Sequence, residues 1–193
     1  MMTRYRRAKA LASAAAGAAG LVLVTGCGIA GVGTRSADLS DWFTVTSPAF
    51  GDGKPIPSQF ACPAYQGGQG KTPPLNWSDP DGAAAFAILV DDPDAPRGTY
   101  VHWVVANIDG HTNGLVAGAR LAKTVEGKNS GGTVGYQPPC PPKGQPAHRY
   151  RFTVYALSEP VPMKAGASLK DSLPMIAQRT IGRGRLTGNF GGG

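Results

Sequence analysis

Residues 148–157 read HRYRFTVYAL, and this segment carries the strongest fold signal in the chain. From Arg149 to Leu157, apolar and polar side chains alternate, so aromatic and aliphatic groups share one face and two arginines share the other. Alternation with a period of two is typical of a β-strand that has one face in a core. The pattern therefore predicts a sheet in which His148 and Tyr150 lie on the core-facing side and the arginines lie in solvent.

Three further segments extend the β-rich pattern toward the N-terminus. Ala84–Val90 is a continuous apolar run of strand length, which predicts a buried strand. Tyr100–Ile108 predicts another strand with two largely apolar faces, and counting by two places His102 on the same face as Val104. Pro73–Trp77 predicts an extended segment at a sheet edge, because proline cannot donate to a central ladder.

Shorter elements are expected near both ends of the domain. Asp41–Phe50 predicts a first strand, Ala122–Glu126 a short strand and Arg185–Phe190 a closing strand. Ser168–Ile181 has leucine and isoleucine at helical spacing, so it predicts a helix that Pro174 kinks or splits, with the following glycines at its end. Short strands joined by turns rich in the chain's 28 glycines and 17 prolines indicate a mainly β fold.

The first 26 residues predict a secretory signal of the lipoprotein type. A head with four basic residues precedes Ala10–Val24, which is uncharged and shorter than the ~20 residues that a helix needs to cross a bilayer. The small residue before Cys27 resembles the bacterial lipobox, in which the cysteine is diacylated and becomes the first mature residue. An ordinary signal peptide with a chance cysteine is the alternative. Residues 27–41 predict a flexible tether, so we expect an exported lipoprotein on the cell membrane, facing the cell exterior or the periplasm.

Charge and length indicate one domain without a nucleic-acid surface. Removing residues 1–26 takes away four basic residues and no acid, so the formal charge falls from +7 to +3. The remaining chain holds no run of lysine and arginine that could follow a phosphate backbone, so no nucleic-acid partner is expected. Its length is that of a single domain, which we place at residues 42–193.

Two cysteines remain once Cys27 is assigned to the anchor. Cys62 and Cys140 each precede a proline, and an even pair in an exported domain favours a disulfide. Two buried thiols or two metal ligands are the alternatives. They stay open because the sequence does not show whether the Cα atoms come within the ~7 Å that a disulfide allows.

Acids and imidazoles cluster at the ends of the predicted strands. The aspartates of Asp91–Asp94 follow the buried strand in a proline turn, and His102 and His148 lie on strands close to proline-rich turns. A single histidine in apolar surroundings is usually a hydrogen-bonded core residue. Two histidines beside acids and tight turns favour a small anion-binding pocket instead. Zinc ligation by the histidines, Cys140 and an aspartate lacks a close ligand pair, so no metal site is predicted.

Signatures of common enzyme classes are missing. The sequence has no G-x-S-x-G elbow, no Walker A loop and no H-E-x-x-H motif. Nothing in it identifies a nucleophile or a cofactor loop, so we expect a binding protein that is not an enzyme and needs no cofactor. A hydrolase that uses aspartate and histidine around a water molecule is the alternative.

Seven short motifs occur in an order and spacing that are specific when taken together. They are Cys62, Pro73–Trp77, Asp92–Pro96, His102–Val105, Cys140–Pro142, His148–Tyr150 and Leu186–Phe190. On these motifs the chain resembles the phosphatidylethanolamine-binding protein (PEBP) family, also called the Raf kinase inhibitor protein family, in its bacterial branch and in an exported lipoprotein form. The resemblance covers most of the domain.

The resemblance implies a Greek-key β-sandwich of two antiparallel sheets, with a C-terminal helix beside an anion pocket at one end. The pocket walls carried over by motif are Asp92, Asp94, Pro96, His102, Cys140, Pro142, His148 and Tyr150. We expect Asp92 to orient His102, and Tyr150 and His148 to donate to the anion. Pro138 stands where bacterial relatives often have glycine, so one N–H donor is lost.

Family members bind phosphate-like anions and phospholipid head groups, and some inhibit kinases or serine proteases. The resemblance therefore implies that this chain binds a small anion or a phospholipid head group. Inhibition of a protease or a kinase through the pocket rim is the alternative function.

Overall fold

The structure, a computed structural model, describes residues 43–78 and 80–192. The expected signal 1–26, the tether 27–41 and the lipidation site Cys27 lie outside the described residues. The strands and the helix are β1 Val45–Thr46, β2 Lys54–Pro55, β3 Leu75–Trp77, β4 Ala85–Asp92, β5 Tyr100–Asp109, β6 Gly114–Leu115, β7 Val125–Glu126, β8 His148–Leu157, α1 Leu169–Arg179 and β9 Thr180–Phe190.

The described strands form two sheets. The larger has the order β2-β9-β8-β4-β5-β7 and the smaller has the order β1-β3-β6. Neighbouring strands run antiparallel apart from β2 and β9, which pair in parallel at one edge of the larger sheet. The predicted mainly β architecture of two sheets with a C-terminal helix is confirmed.

The position expected for β3 is wrong. Leu75 pairs with β6 and Trp77 pairs with β1, so β3 is the central strand of the smaller sheet. The expectation rested on Pro73 and Pro74, which cannot donate to a ladder. Both prolines lie before the strand begins, so the ladder needs no hydrogen from either of them.

The larger sheet is buried on both faces. One face packs against the smaller sheet in a core that includes Phe86, Phe152 and Trp77. The other face packs against α1 in a second cluster that includes Leu157 and Ile176. Because β4 lies in the middle of this sheet, both of its faces need apolar side chains, which explains its continuous apolar run.

Helix α1 is shorter than the sequence suggested. The Ser168 side chain caps it by accepting a hydrogen bond from the Asp171 N–H at 3.3 Å, and the helix continues past Pro174 to Arg179. Thr180 is already extended and begins β9. The glycines expected to end the helix lie inside β9. A Cβ on Gly184 would come within 2.3 Å of a backbone carbonyl oxygen of the chain segment that packs across it, so a side chain is excluded there.

Across the described residues, no helix is both long and apolar enough to cross a membrane.

Candidate functional site

A small cavity opens at the edge of the larger sheet where β4 ends and where β5 and β8 begin. It encloses about 170 Å³. The residues of its floor are buried, and they are Asp92, His102, His148 and Tyr150. The exposed part of its rim includes Pro96, Cys140 and Pro142. Seven of the eight residues predicted for the pocket walls therefore surround one cavity.

A β-bulge turns His102 toward this cavity. Val90 pairs with Trp103 and Asp91 pairs with Val101, so His102 is the extra residue in β5 and has no partner on β4. A bulge of this kind redirects a side chain. His102 packs against Tyr150 with ring centroids 5.2 Å apart. Counting by two placed His102 on the same face as Val104, and this prediction is wrong. Val104 belongs to the apolar cluster under α1, whereas His102 packs against Tyr150 on the opposite face of the sheet.

His148 and Asp92 form a buried pair at the base of the cavity. Nδ1 of His148 donates to Oδ2 of Asp92 at 2.8 Å, and both side chains are nearly inaccessible to solvent. The other carboxylate oxygen of Asp92 accepts from the Asp94 N–H at 2.8 Å. Asp92 therefore orients His148, and the expectation that it orients His102 is wrong, because β4 lies beside β8 and the His102 ring turns to another partner.

The partner of His102 is a backbone group. Its Nδ1 lies 2.7 Å from the carbonyl oxygen of Gln137. A carbonyl can only accept, so Nδ1 carries the hydrogen and donates. Burial lowers the pKa of His102, and the hydrogen bond to Gln137 offsets only part of this effect. The ring is therefore neutral at neutral pH.

Asp94 does not line the cavity, in contrast to the prediction. Its carboxylate accepts from the backbone N–H of Arg149 at 2.9 Å and from the guanidinium at 2.8 and 2.6 Å. The Arg149 hydrogen bonds lower the pKa of Asp94 to about 2. Arg151 similarly pairs with Asp91. As expected, the Arg149 side chain lies in solvent, whereas Arg151 is half-buried. Both arginines nevertheless pair with aspartates of the turn.

Tyr150 contributes a buried hydroxyl to the cavity floor. The residue is 1% exposed, and its hydroxyl makes no hydrogen bond to any other described residue. Burial raises the pKa of Tyr150, so the side chain stays a neutral phenol that can donate. Buried tyrosine hydroxyls usually have a partner, which makes this one a candidate contact for a ligand.

The opposite wall is the segment Pro138–Pro142, which a disulfide holds in place. Cys62 and Cys140 are bonded, with their Cα atoms 5.4 Å apart, as one of the three alternatives predicted. The Cys62 N–H donates to the Pro139 carbonyl at 2.9 Å, and the Tyr65 hydroxyl donates to the Pro141 carbonyl at 2.8 Å. A wall made almost entirely of prolines is thus fixed by one covalent bond and two hydrogen bonds.

Comparison with known proteins agrees with this fold. Residues 46–191 match the family described as phosphatidylethanolamine-binding protein, and this span contains every residue that lines the cavity. The chain belongs to the PEBP family. The predicted resemblance is therefore confirmed.

Individual PEBP-family relatives cover most of the chain. The Mycobacterium tuberculosis protein named "Putative lipoprotein LppC" is 43% identical over 159 residues, which are 82% of this chain and 77% of that protein. The Escherichia coli structure of YbcL, "a new member of the mammalian PEBP family", has a TM-score of 0.72 at 30% identity, over 78% of this chain and 99% of its own. The Chlamydia trachomatis structure of the PEBP homolog CT736 has a TM-score of 0.71 at 34% identity, over 80% of this chain and 100% of its own.

Two polar residues that line this PEBP-family cavity were missed by the sequence reasoning. Tyr100 lines it, packs against His102 at 4.9 Å and donates from its hydroxyl to the side chain of Gln137 at 2.7 Å. The position of Tyr100 two residues before His102 was a usable signal. The role of Gln137 was not visible, because a backbone carbonyl is present at every residue and only the fold shows which one meets the imidazole.

The acidic residues do not form a cation site. In the part of the chain that the structure describes, no group of three or more histidine, cysteine, aspartate or glutamate side chains is placed to hold a metal ion. Asp91 and Asp94 are bound to arginines, and Asp92 is bound to His148. Among the buried residues of the floor, the polar groups left for a ligand are therefore those of the histidines and Tyr150.

Proposed function

We propose that this PEBP-family protein is an exported, lipid-anchored binding protein that holds a small anion or a phospholipid head group between His102 and His148. One observation carries the proposal. Three polar groups of the cavity floor, the Tyr150 hydroxyl and the Nε2 atoms of both histidines, make no hydrogen bond to another described residue, and none of them is a fully buried unpaired atom. Each is therefore accessible to a small molecule in the cavity, which makes these groups the natural contacts of a bound ligand.

The chemistry of the floor suits an oxyanion. The carboxylate of Asp92 holds Nδ1 of His148, so Nε2 is the ring atom left to contact a ligand. Tyr150 adds a hydroxyl donor. In the wall, Cys140 carries the one amide hydrogen of Pro138–Pro142, since the other four residues are prolines. That N–H is not bonded to another described residue.

The size of the cavity restricts what enters it. Pockets for drug-sized ligands usually measure about 300–1,000 Å³, whereas this one measures about 170 Å³. A phosphate or a phosphorylated head group fits such a volume, and a pair of acyl chains does not. A phospholipid would therefore leave its chains outside the cavity.

The proposed location rests on the N-terminal sequence. A signal over residues 1–26, lipidation of Cys27 and a tether over residues 27–41 would hold the domain of residues 42–193 close to the membrane. Similarity to a protein named as a lipoprotein supports this. Replacing Cys27 by serine should release the protein from the membrane fraction, and retention of the variant on the membrane would contradict lipid anchoring.

Calorimetric titration of the processed protein with phosphate and with phosphoethanolamine tests the binding function. We expect the His102→Ala and His148→Ala variants to lose binding, and His111→Ala to keep it, because His111 is exposed in the turn after β5 and does not line the cavity. A folded wild-type protein that binds neither compound would reject the ligand-binding proposal. Inhibition of a protease or a kinase through the exposed rim would then become the leading function, measured as saturable loss of the target enzyme's activity.

A further inference from the structure

The groups already assigned to the cavity offer few hydrogens to an oxyanion. Nδ1 of His102 carries the ring hydrogen and donates it to the Gln137 carbonyl, so Nε2 presents a lone pair. The lowered pKa of His102 agrees with a neutral ring. The Pro138–Pro142 wall has one amide hydrogen, that of Cys140, because its other residues are prolines. A phosphate group carries several strong acceptor oxygens, so further donors would complete its hydrogen bonds.

Gln137 lies beside that wall with a side-chain amide that can donate. The residue lines the cavity. Its Oε1 accepts a hydrogen bond from the Tyr100 hydroxyl at 2.7 Å. Its Nε2 makes no hydrogen bond to another described residue and is not a fully buried atom. An amide nitrogen of this kind carries hydrogens and accepts none, so Nε2 of Gln137 is a donor open to a ligand.

Tyr100 and Gly131 fix which way the amide of Gln137 points. A Cβ on Gly131 would come within 2.7 Å of the Tyr100 Oη and within 2.9 Å of the Gln137 Oε1, so the backbone of Gly131 lies against this hydrogen bond. The loop is anchored by Asn129, a buried residue whose Oδ1 accepts from the Gly131 N–H at 3.0 Å. The oxygen side of the amide is therefore occupied by Tyr100 and by this loop, and the nitrogen side is left to the cavity.

The backbone of Gln137 holds the amide close to the rest of the site. The Gln137 N–H donates to the His102 carbonyl at 2.9 Å, and the Gln137 carbonyl accepts from the His102 ring at 2.7 Å. The Tyr100 ring packs against the same imidazole, with ring centroids 4.9 Å apart. The imidazole also packs against Tyr150, whose hydroxyl is a donor on the floor. Gln137 and Tyr150 are thus both joined to His102 by direct contacts, and both line one cavity.

We infer, building on the proposed anion binding, that the side-chain amide of Gln137 is a further ligand-binding group, which Tyr100 turns so that Nε2 donates to a phosphate oxygen. Tyr100 is a positioning residue in this arrangement, because its hydroxyl is engaged by Gln137 and acts through it. The contact needs only an unesterified phosphate oxygen. It therefore serves inorganic phosphate, a phosphate monoester and the phosphodiester of a phospholipid head group alike.

Calorimetric titration of the processed protein with inorganic phosphate and with a short-chain phosphatidylethanolamine tests the contact. Gln137→Ala should weaken the binding of both compounds by about ten- to hundred-fold, which is the cost of losing a hydrogen bond to a charged group. Gln178→Ala is the matched control and should keep the wild-type affinity, because Gln178 is exposed on α1 and does not line the cavity. Tighter binding of the lipid identifies a membrane source for the phosphate, and tighter binding of inorganic phosphate identifies a soluble source.

The Tyr100→Phe variant tests the positioning. It keeps the ring beside His102 and removes the hydroxyl, so we expect about three- to ten-fold weaker phosphate binding. Combined with Gln137→Ala it should weaken binding no further, because both changes remove the same contact. Additive losses in the double variant would overturn the positioning role of Tyr100. Tyr155→Phe, on β8 and outside the cavity lining, is the control and should bind as the wild-type protein does.

An NMR titration of the wild-type protein reads the contact directly. The side-chain amide signals of Gln137 should shift as phosphate is added and saturate with the Kd that calorimetry gives, whereas those of Gln178 should stay in place. Unmoved Gln137 signals, or phosphate binding by Gln137→Ala within about two-fold of wild type, would overturn the inference and leave anion binding intact. A wild-type protein that binds neither compound would overturn both the inference and the proposed function. If Gln137→Ala fails to fold, the wild-type NMR titration decides the question by itself.

Discussion

The disulfide is expected to make a large contribution to the free energy of unfolding of the described domain. It joins Cys62 to Cys140 across a sequence separation of 78 residues. Closing a loop of that length in the unfolded chain corresponds to about 4.5 kcal/mol at 25 °C in the chain-entropy treatment. Domains of this size are typically stable by only about 5–15 kcal/mol. Replacing both cysteines by alanine should therefore bring the protein close to the limit of stability.

Denaturant unfolding followed by tryptophan fluorescence measures this effect. Wild-type protein and the Cys62→Ala, Cys140→Ala double variant are compared by their midpoints and slopes, because the slope reports how compact the unfolded chain is. We expect a lower midpoint and a steeper slope in the variant. Wild-type protein with its disulfide reduced is the control, and it should behave like the double variant. A loss of stability below about 1 kcal/mol would refute the entropic reasoning.

Three further outcomes follow from packing and titration. Gly184→Ala should destabilise the domain by about 1–3 kcal/mol through overpacking, whereas Gly51→Ala, whose nearest contact would be 3.4 Å away, should change the unfolding midpoint little. The pKa of Asp94 is lowered to about 2 by Arg149, so its contribution to stability is present above pH ~4 and is lost as the pH falls toward 2. Asp94→Asn should therefore flatten the acid side of the stability profile, and an unchanged profile would contradict the pairing. The pKa of His102 is lowered by burial, so its contribution is present above about pH 6.5 and is lost as the pH falls below that value. His102→Gln should remove this part of the slope in unfolding experiments between pH 7 and pH 5.

Local side-chain patterns were enough to find the central strands. The alternation in residues 149–157 and the apolar run at 84–90 correspond to β8 and β4, with ends shifted by one or two residues. The expected first strand at 41–50 is only the two-residue β1 in the described part, where two residue pairs join it to β3. Strand detection succeeded where burial imposes a period on the sequence, and it failed where pairing depends on distant segments.

The family, the mainly β architecture and most of the residues that surround the cavity could be predicted from the amino-acid sequence alone. Those properties follow from residue types and their spacing, which are local. The pairing of acids with histidines depends instead on three-dimensional packing. The bulge at His102 turns that ring to the Gln137 carbonyl, and the adjacency of β4 and β8 places Asp92 against His148. These choices depend on strand order and on a one-residue shift of register. Strand order and a register shift produce no periodic pattern of side chains that could be recognised in the sequence. The carbonyl that meets His102 is equally unrecognisable, because every residue has a backbone carbonyl.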